Sequence, residues 1–243
     1  MQTATEFWDG VFAHGGASDY SRVEMPNLDD AILKTALEHF GDVRGKTLVD
    51  LGCGRGATSL FFAHHGADVI ALDTSTQAIG NLAAYCEANR VANLEPRVLS
   101  ALDLDRLGEA DFVFGSMILH HLEPFAVFAG RLRQTLRPDG KAFFWENNAR
   151  SRALLWCREN VIGKLWIPKY GDADEFPLTP REVDELRRHF DVHVEYPELL
   201  LFRMIPRYLF RGRMMRPFEA LDRFFYRVPA IRQYSYRQFV RLS

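Results

Sequence analysis

Three glycines at alternate positions, in Val49-Asp-Leu-Gly-Cys-Gly-Arg-Gly-Ala57, stand between a short apolar run and a helical pattern. Glycine removes the side chain where a backbone must bend sharply and approach a ligand closely. Twenty-one residues after Gly52, a second apolar run ends at Asp73. A carboxylate there can accept hydrogen bonds from both hydroxyls of a ribose. A glycine turn followed by an acidic second-strand end predicts an adenosine site at the carboxyl edge of a parallel sheet.

The surrounding pattern agrees. Runs at 46–52 (KTLVDLG), 67–73, 95–100, 110–115 and 141–146 are apolar on both faces, as strands covered by helices must be. Helical patterns fill 55–65, 75–90 and 123–136, with Ser75 as an N-cap and Arg137-Pro-Asp-Gly140 as a stop. Strand–helix alternation at this spacing gives βαβ units, hence an α/β, Rossmann-like doubly wound sheet. A further helix is expected near 28–40. Thr179-Pro-Arg-Glu182 reads as a capping box opening another, and strands are expected at 191–196 and 236–242. With no internal repeat and no Gly/Ser linker, residues 1–243 read as one domain. Its parts are an N-terminal lid (1–45), a cofactor-binding core (46–147), and substrate-side insertions at 150–180 and 200–235.

The glycine spacing is G-x-G-x-G, and Asp50 lies two residues before the first glycine. Beside a pyrophosphate, that carboxylate would cost about 1 kcal/mol or more at 4 Å separation even in a water-like dielectric. It would attract a cation, such as the α-amino group or sulfonium of S-adenosylmethionine. The sign of the charge favours that cofactor over a nicotinamide dinucleotide.

With these residues in view, the chain resembles the class I S-adenosylmethionine-dependent methyltransferases over roughly residues 46–147. VDLGCGRG looks like the family's first motif, ALDTS its ribose motif, and VLSALDLD its adenine loop. FVFGSMILHHL looks like the fourth-strand motif, and LRPDGKAFFWEN the turn into the fifth strand. The resemblance implies seven strands in the order 3-2-1-4-5-7-6, the last antiparallel. It implies that Asp73 and Thr74 hold the ribose, that Gly52, Cys53, Gly54 and Gly56 with Asp50 surround the methionine end, and that Gly115 offers backbone to the amino group. Ser100 stands where the family often has an acidic residue, so the adenine contact is expected from Ser100 and the backbone of Ala101, with Asp103 too far along.

For chemistry, a positioned acceptor and a base to take its proton are needed. His120 and His121 follow the fourth strand, and Glu146 and Asn147 end the fifth. His120, His121 and Glu146 are the catalytic candidates, with His14 a weaker one, and Phe7, Trp8, Phe12 and Tyr20 would form the lid. No His/Cys/Asp/Glu cluster has metal-ligand spacing, and no metal is expected. Cys53 reads as a small loop filler in place of a nucleophile.

Charge is unevenly spread. Residues 1–199 carry 20 Lys and Arg against 30 Asp and Glu, whereas 200–243 carry ten Arg, no Lys, two acids and ten Phe and Tyr. Such a segment suits either packing on the acidic body or a second copy as a homodimer, or a phosphate- or lipid-bearing partner at a membrane surface. Nucleic acid is not expected, because the motifs lie in an acidic body. Asp174-Glu-Phe-Pro-Leu-Thr179 is loosely similar to a segment of bacterial methyltransferases of polysaccharide or lipid-linked saccharide biosynthesis. The acceptor is accordingly expected to be a small molecule, a saccharide or a lipid-linked saccharide, or a secondary-metabolite hydroxyl. A ubiquinone-type C-methyltransferase and an inactive binding subunit are the alternatives. Three cysteines, no secretory leader and no 18-residue apolar run predict a cytoplasmic chain, with peripheral membrane contact through 200–235 as an option.

Overall fold

The computed structural model describes Gly10 and residues 22–160, 176–209 and 213–243. The expected lid side chains Phe7, Trp8, Phe12, His14 and Tyr20 lie outside the described residues, as do the insert residues 161–175. Seven strands form one sheet: β1 Thr47–Leu51, β2 Asp68–Asp73, β3 Leu94–Val98, β4 Ala110–Ser116, β5 Leu136–Asn147, β6 Val192–Glu195 and β7 Arg237–Leu242. Their order is β3-β2-β1-β4-β5-β7-β6. β1 to β5 run parallel, and β7 is antiparallel to both β5 and β6, as the resemblance implied.

Helices cover both faces. α1 Ala31–Phe40, α2 Ala57–His64 and α3 Thr76–Asn89 precede β4; α4 Phe125–Thr135 joins β4 to β5. α5 Arg152–Asn160 and α6 Pro180–Leu186 follow β5, while α7 Met204–Leu209, α8 Met215–Tyr226 and α9 Pro229–Arg232 lie between β6 and β7. Caps fix several starts. Asp30 accepts from the backbone of Ile32 and Leu33, Ser75 from Ala78, and Thr179 and Glu182 close the expected capping box.

Helix α4 stops where its stop signal places it, at Thr135, but the residues of that signal take another conformation. Arg137-Pro-Asp-Gly140 is not a left-handed turn but a bulge inside β5. Between Ala110 and Phe112 of β4, pairing jumps from Leu136 to Lys141 on β5. A bulge leaves residues outside the ladder, which is where Pro138, lacking an N–H, fits a strand. Gly140 is not among the positive-φ glycines; it is needed because a Cβ would come 3.0 Å from the Arg137 carbonyl.

Two apolar layers hold the sheet. On the face covered by α1 to α3, aromatic rings form a ladder across strands: Phe40 stacks on Phe112 at 4.9 Å, and Phe143 meets Phe114 at 6.1 Å and Phe239 at 5.0 Å. Phe144 points to the opposite face, against Phe128 of α4. This alternation commits β5 to burial on both sides. Phe143 is fully buried at the centre of the ladder, so Phe143→Ala should destabilise the fold by about 3–5 kcal/mol, measured by urea denaturation; a loss under about 1 kcal/mol would show that the ladder does not hold the sheet.

Candidate cofactor and acceptor site

At the carboxyl edge of β1, β2 and β4 lies a cavity of about 360 Å³, inside the range of ligand pockets. Gly52, Gly54, Asp73, Thr74, Ser100, Ala101 and His121 all line it. Sequence reasoning had not named Leu72, Leu99, Leu102, Ser116, Met117, Ile118 and Leu122, which complete the wall. Each lies inside one of the three motifs ALDTS, VLSALDLD and FVFGSMILHHL, but none carries a side chain whose chemistry marks it individually.

Asp73 is locked at the end of β2. One carboxylate oxygen accepts from the Gly54 N–H and the other from the Ser75 N–H, each at 2.9 Å. The glycine loop and the α3 start are thereby tied to one side chain. Carboxylate oxygens accept more than one hydrogen bond each, so the same group can take ribose hydroxyls from the cavity side. Gly52 has φ +67°, and a Cβ there would come 3.0 Å from Ile118. Both the left-handed backbone and the close wall require glycine.

Asp50 does not line the cavity. It is buried beneath the loop, and its Oδ2 accepts from the hydroxyls of Thr58 at 2.5 Å and Ser59 at 2.6 Å, in the first turn of α2. The expected direct contact with a ligand cation is therefore absent, and Asp50 acts only as a charge behind the backbone. Burial pushes its carboxyl up to about 6, opposed by the two hydroxyls and reinforced by Asp73. Cys53 is buried too, its thiol raised well above the usual range by burial and then by Asp50 and Asp73. It fills space and is no nucleophile. Gly56 stands at the α2 N-cap with φ +81°, off the cavity wall.

Gly115 is also displaced from its expected role. It pairs with Leu51 on one side and Phe144 on the other, so its backbone belongs to the sheet. Its missing side chain makes room: a Cβ would come 2.7 Å from Ile118 and 2.8 Å from Phe144. The cavity is reached by the next residues, Ser116 and Met117, the latter in left-handed backbone at φ +57°.

The catalytic candidates separate. The Glu146 side chain is fully buried: Oε1 accepts from the Ile118 and Leu119 N–H groups, and Oε2 accepts from Nδ1 of the nearly fully buried His120, all at 2.7 Å. Neither Glu146 nor His120 lines the cavity. Together they clamp the 3₁₀ turn Leu119–His121, and the neighbouring His121 ring, 4.1 Å from that of His120, faces the cavity. Asn147 is buried at the β5 end and pairs with Arg237 of β7. Ser100 caps the turn after β3 by accepting from Leu102, and the Asp103 carboxylate pairs with Arg131 at 3.3 Å and Arg106 at 3.5 Å and does not line the cavity. A second, smaller cavity of about 160 Å³ shares Ser116 with the first and is lined in part by Glu24, Met25, Asp30, Phe114 and Trp145. Among the described residues no group of three or more His, Cys, Asp or Glu could hold a metal ion.

The cavity fits S-adenosylmethionine on the volume, the ribose-ready carboxylate and the apolar walls of Leu99 and Leu102. Comparison with known proteins agrees. Residues 24–190 match a family described as "Methyltransferase domain". The ubiquinone biosynthesis O-methyltransferase of Sinorhizobium fredii is 26% identical over 193 residues, 75% of each chain. Among solved structures, a SAM-dependent methyltransferase from Aquifex aeolicus has TM-score 0.54 at 16% identity, covering 88% of this chain and 94% of that one. Coclaurine N-methyltransferase bound to N-methylheliamine and SAH has TM-score 0.60 at 14% identity, covering 88% and 71%. These two share the fold.

Two outcomes are expected. Asp73→Ala should weaken S-adenosylhomocysteine binding by about 1–3 kcal/mol in isothermal titration; unchanged affinity would remove Asp73 from the ribose. Asp50, harder to ionise folded than at its ordinary 3.8, stabilises the fold fully below that value and loses this contribution as pH rises through about 6. Between pH 4 and 7 the wild type should therefore lose on the order of 3 kcal/mol of stability that Asp50→Asn does not lose, read from denaturant midpoints; parallel profiles would refute the buried charge.

Proposed function

The chain belongs to the methyltransferase-domain family, the class I S-adenosylmethionine-dependent methyltransferases, and on that footing we propose that it methylates a hydroxyl oxygen on a small, ring-bearing acceptor. The observation that carries this reading is His121 on the cavity wall, held by a buried Glu146–His120 clamp. When bound, S-adenosylmethionine supplies an electrophilic methyl group on a sulfonium. Asp73 and the glycine loop orient the nucleoside, and Asp50 places a negative charge behind that loop. The second cavity, which shares Ser116 with the first, would seat the acceptor between Trp145 and the polar groups of Glu24, Asn27 and Asp30. His121 accepts the hydroxyl proton as the oxygen is methylated, imidazole being suited to that exchange near neutral pH. His120 and Glu146 are positioning residues: they fix the turn from which His121 projects.

Oxygen is favoured over carbon by the relatives' name, ubiquinone biosynthesis O-methyltransferase. The same name favours a hydroxylated aromatic ring over a saccharide. The test is turnover with S-adenosylmethionine across two panels, alkylated polyhydroxybenzenes and saccharides, with product structures from NMR. A methyl ether on the aromatic panel is expected. A carbon-methylated product, or cofactor binding with no transfer to either panel, would overturn the proposal. His121→Ala should lower kcat by about 10²–10⁴-fold, whereas wild-type turnover would eliminate it as the base.

A further inference from the structure

The ten arginines of 200–243 divide by environment. Four turn inward. Arg203 pairs with Glu198 and the buried Asp222, and Arg241 with Glu195. Arg232 lies over the Tyr226 ring and Arg237 over Trp145. Arg211 and the side chain of Arg207 lie outside the described residues. The remaining four, Arg213, Arg216, Arg223 and Arg227, are exposed, and no ion pair or hydrogen bond to an acid of the body engages them among the described residues.

Three of these share α8 and its C-cap with an exposed apolar stripe. At 100° per residue, Met215, Phe218, Asp222, Phe225 and Tyr226 face the body, and Asp222 accepts from the backbone of Leu201, Phe202 and Arg203. The outward half divides in two. Leu221, Phe224 and Val228 run along one side, exposed by 41%, 61% and 43%; Arg216, Arg223 and Arg227 run along the other. The only acids of the segment are Glu219 and Asp222, and Asp222 is buried against the body.

We propose that this outward face of α8 docks on a bilayer bearing anionic headgroups. A lipid surface takes both stripes at once: acyl chains receive Leu221, Phe224 and Val228 while headgroup phosphates receive the guanidinium forks. Nucleic acid would leave the apolar stripe in water. A second copy meeting this face two-fold would set the arginines against either the partner's arginines or its apolar stripe, with no acid to pair them. Among the described residues no helix is long and apolar enough to cross a membrane, so the contact lies on the surface. Its place is functional. The segment leaves the sheet after Glu195 and re-enters at Arg237, which pairs with Asn147 at the carboxyl end of β5. That is the edge on which the cavity opens, so a membrane-held acceptor would meet the site from the bilayer side. The docking face stands on these observations whichever atom is methylated.

The full chain should co-float with vesicles of equal parts phosphatidylcholine and phosphatidylglycerol, weakly with phosphatidylcholine alone, and less as salt rises. Replacing Arg216, Arg223 and Arg227 together by Glu should lower partitioning by roughly a hundredfold or more, and Leu221→Ser with Phe224→Ser should also release the protein. Both variants should keep wild-type melting and S-adenosylhomocysteine affinity, because the altered side chains are exposed. Equal binding to both vesicles, no binding to either, or a dimer in light scattering that these variants dissociate would overturn the proposal.

Discussion

Asp50 against the first turn of α2 is the interaction on which the site depends. A helix that starts after a glycine loop presents its positive end to whatever lies there, and dinucleotide folds use it for a pyrophosphate. In this chain the anion is already supplied from within. The Asp50 carboxylate accepts from the hydroxyls of Thr58 and Ser59, not from the helix-end N–H groups, so a buried negative charge lies behind the loop and a diphosphate there would meet a like charge. What remains attractive at the loop is a ligand of opposite sign.

A second carboxylate does comparable work at the other wall. Glu146 draws two backbone N–H groups and the His120 ring toward the end of β5. Three donors on one buried acid hold this short turn, whose Leu119 is itself buried in the core. The left-handed backbone at Met117 belongs to the same arrangement, and Arg237 of β7 packs on Trp145 with its guanidinium beside the Met117 sulfur at 2.8 Å. The last strand therefore braces the cavity as well as closing the sheet, and the charged insertion between β6 and β7 is anchored to the same edge.

Much was legible in the residues. The loop glycines, Asp73 at its strand end, the capping box at Thr179 and the last two strands follow from local chemistry: φ requirements, a hydrogen-bonding side chain, an apolar alternation. The misreadings share a cause. Asp50 and Gly115 lie close in sequence to cavity residues and Glu146 at a strand end, but a strand alternates its faces and a loop has an inside, so none of the three reaches the cavity wall. Pro138 and Gly140 looked like a turn because a bulge uses the same residue types.

The amino-acid order by itself determined the α/β architecture and the sheet edge at which the glycine loop and Asp73 come together, since strand and helix patterns and turn chemistry are set by neighbouring residues. Which histidine faces the cavity, which carboxylates are consumed inside the protein, and which arginines remain open to a partner were settled only when β1, β4, β5 and β7 came side by side. Those outcomes depend on contacts between residues as far apart as Met117 and Arg237, and spacing along a chain carries no record of such meetings.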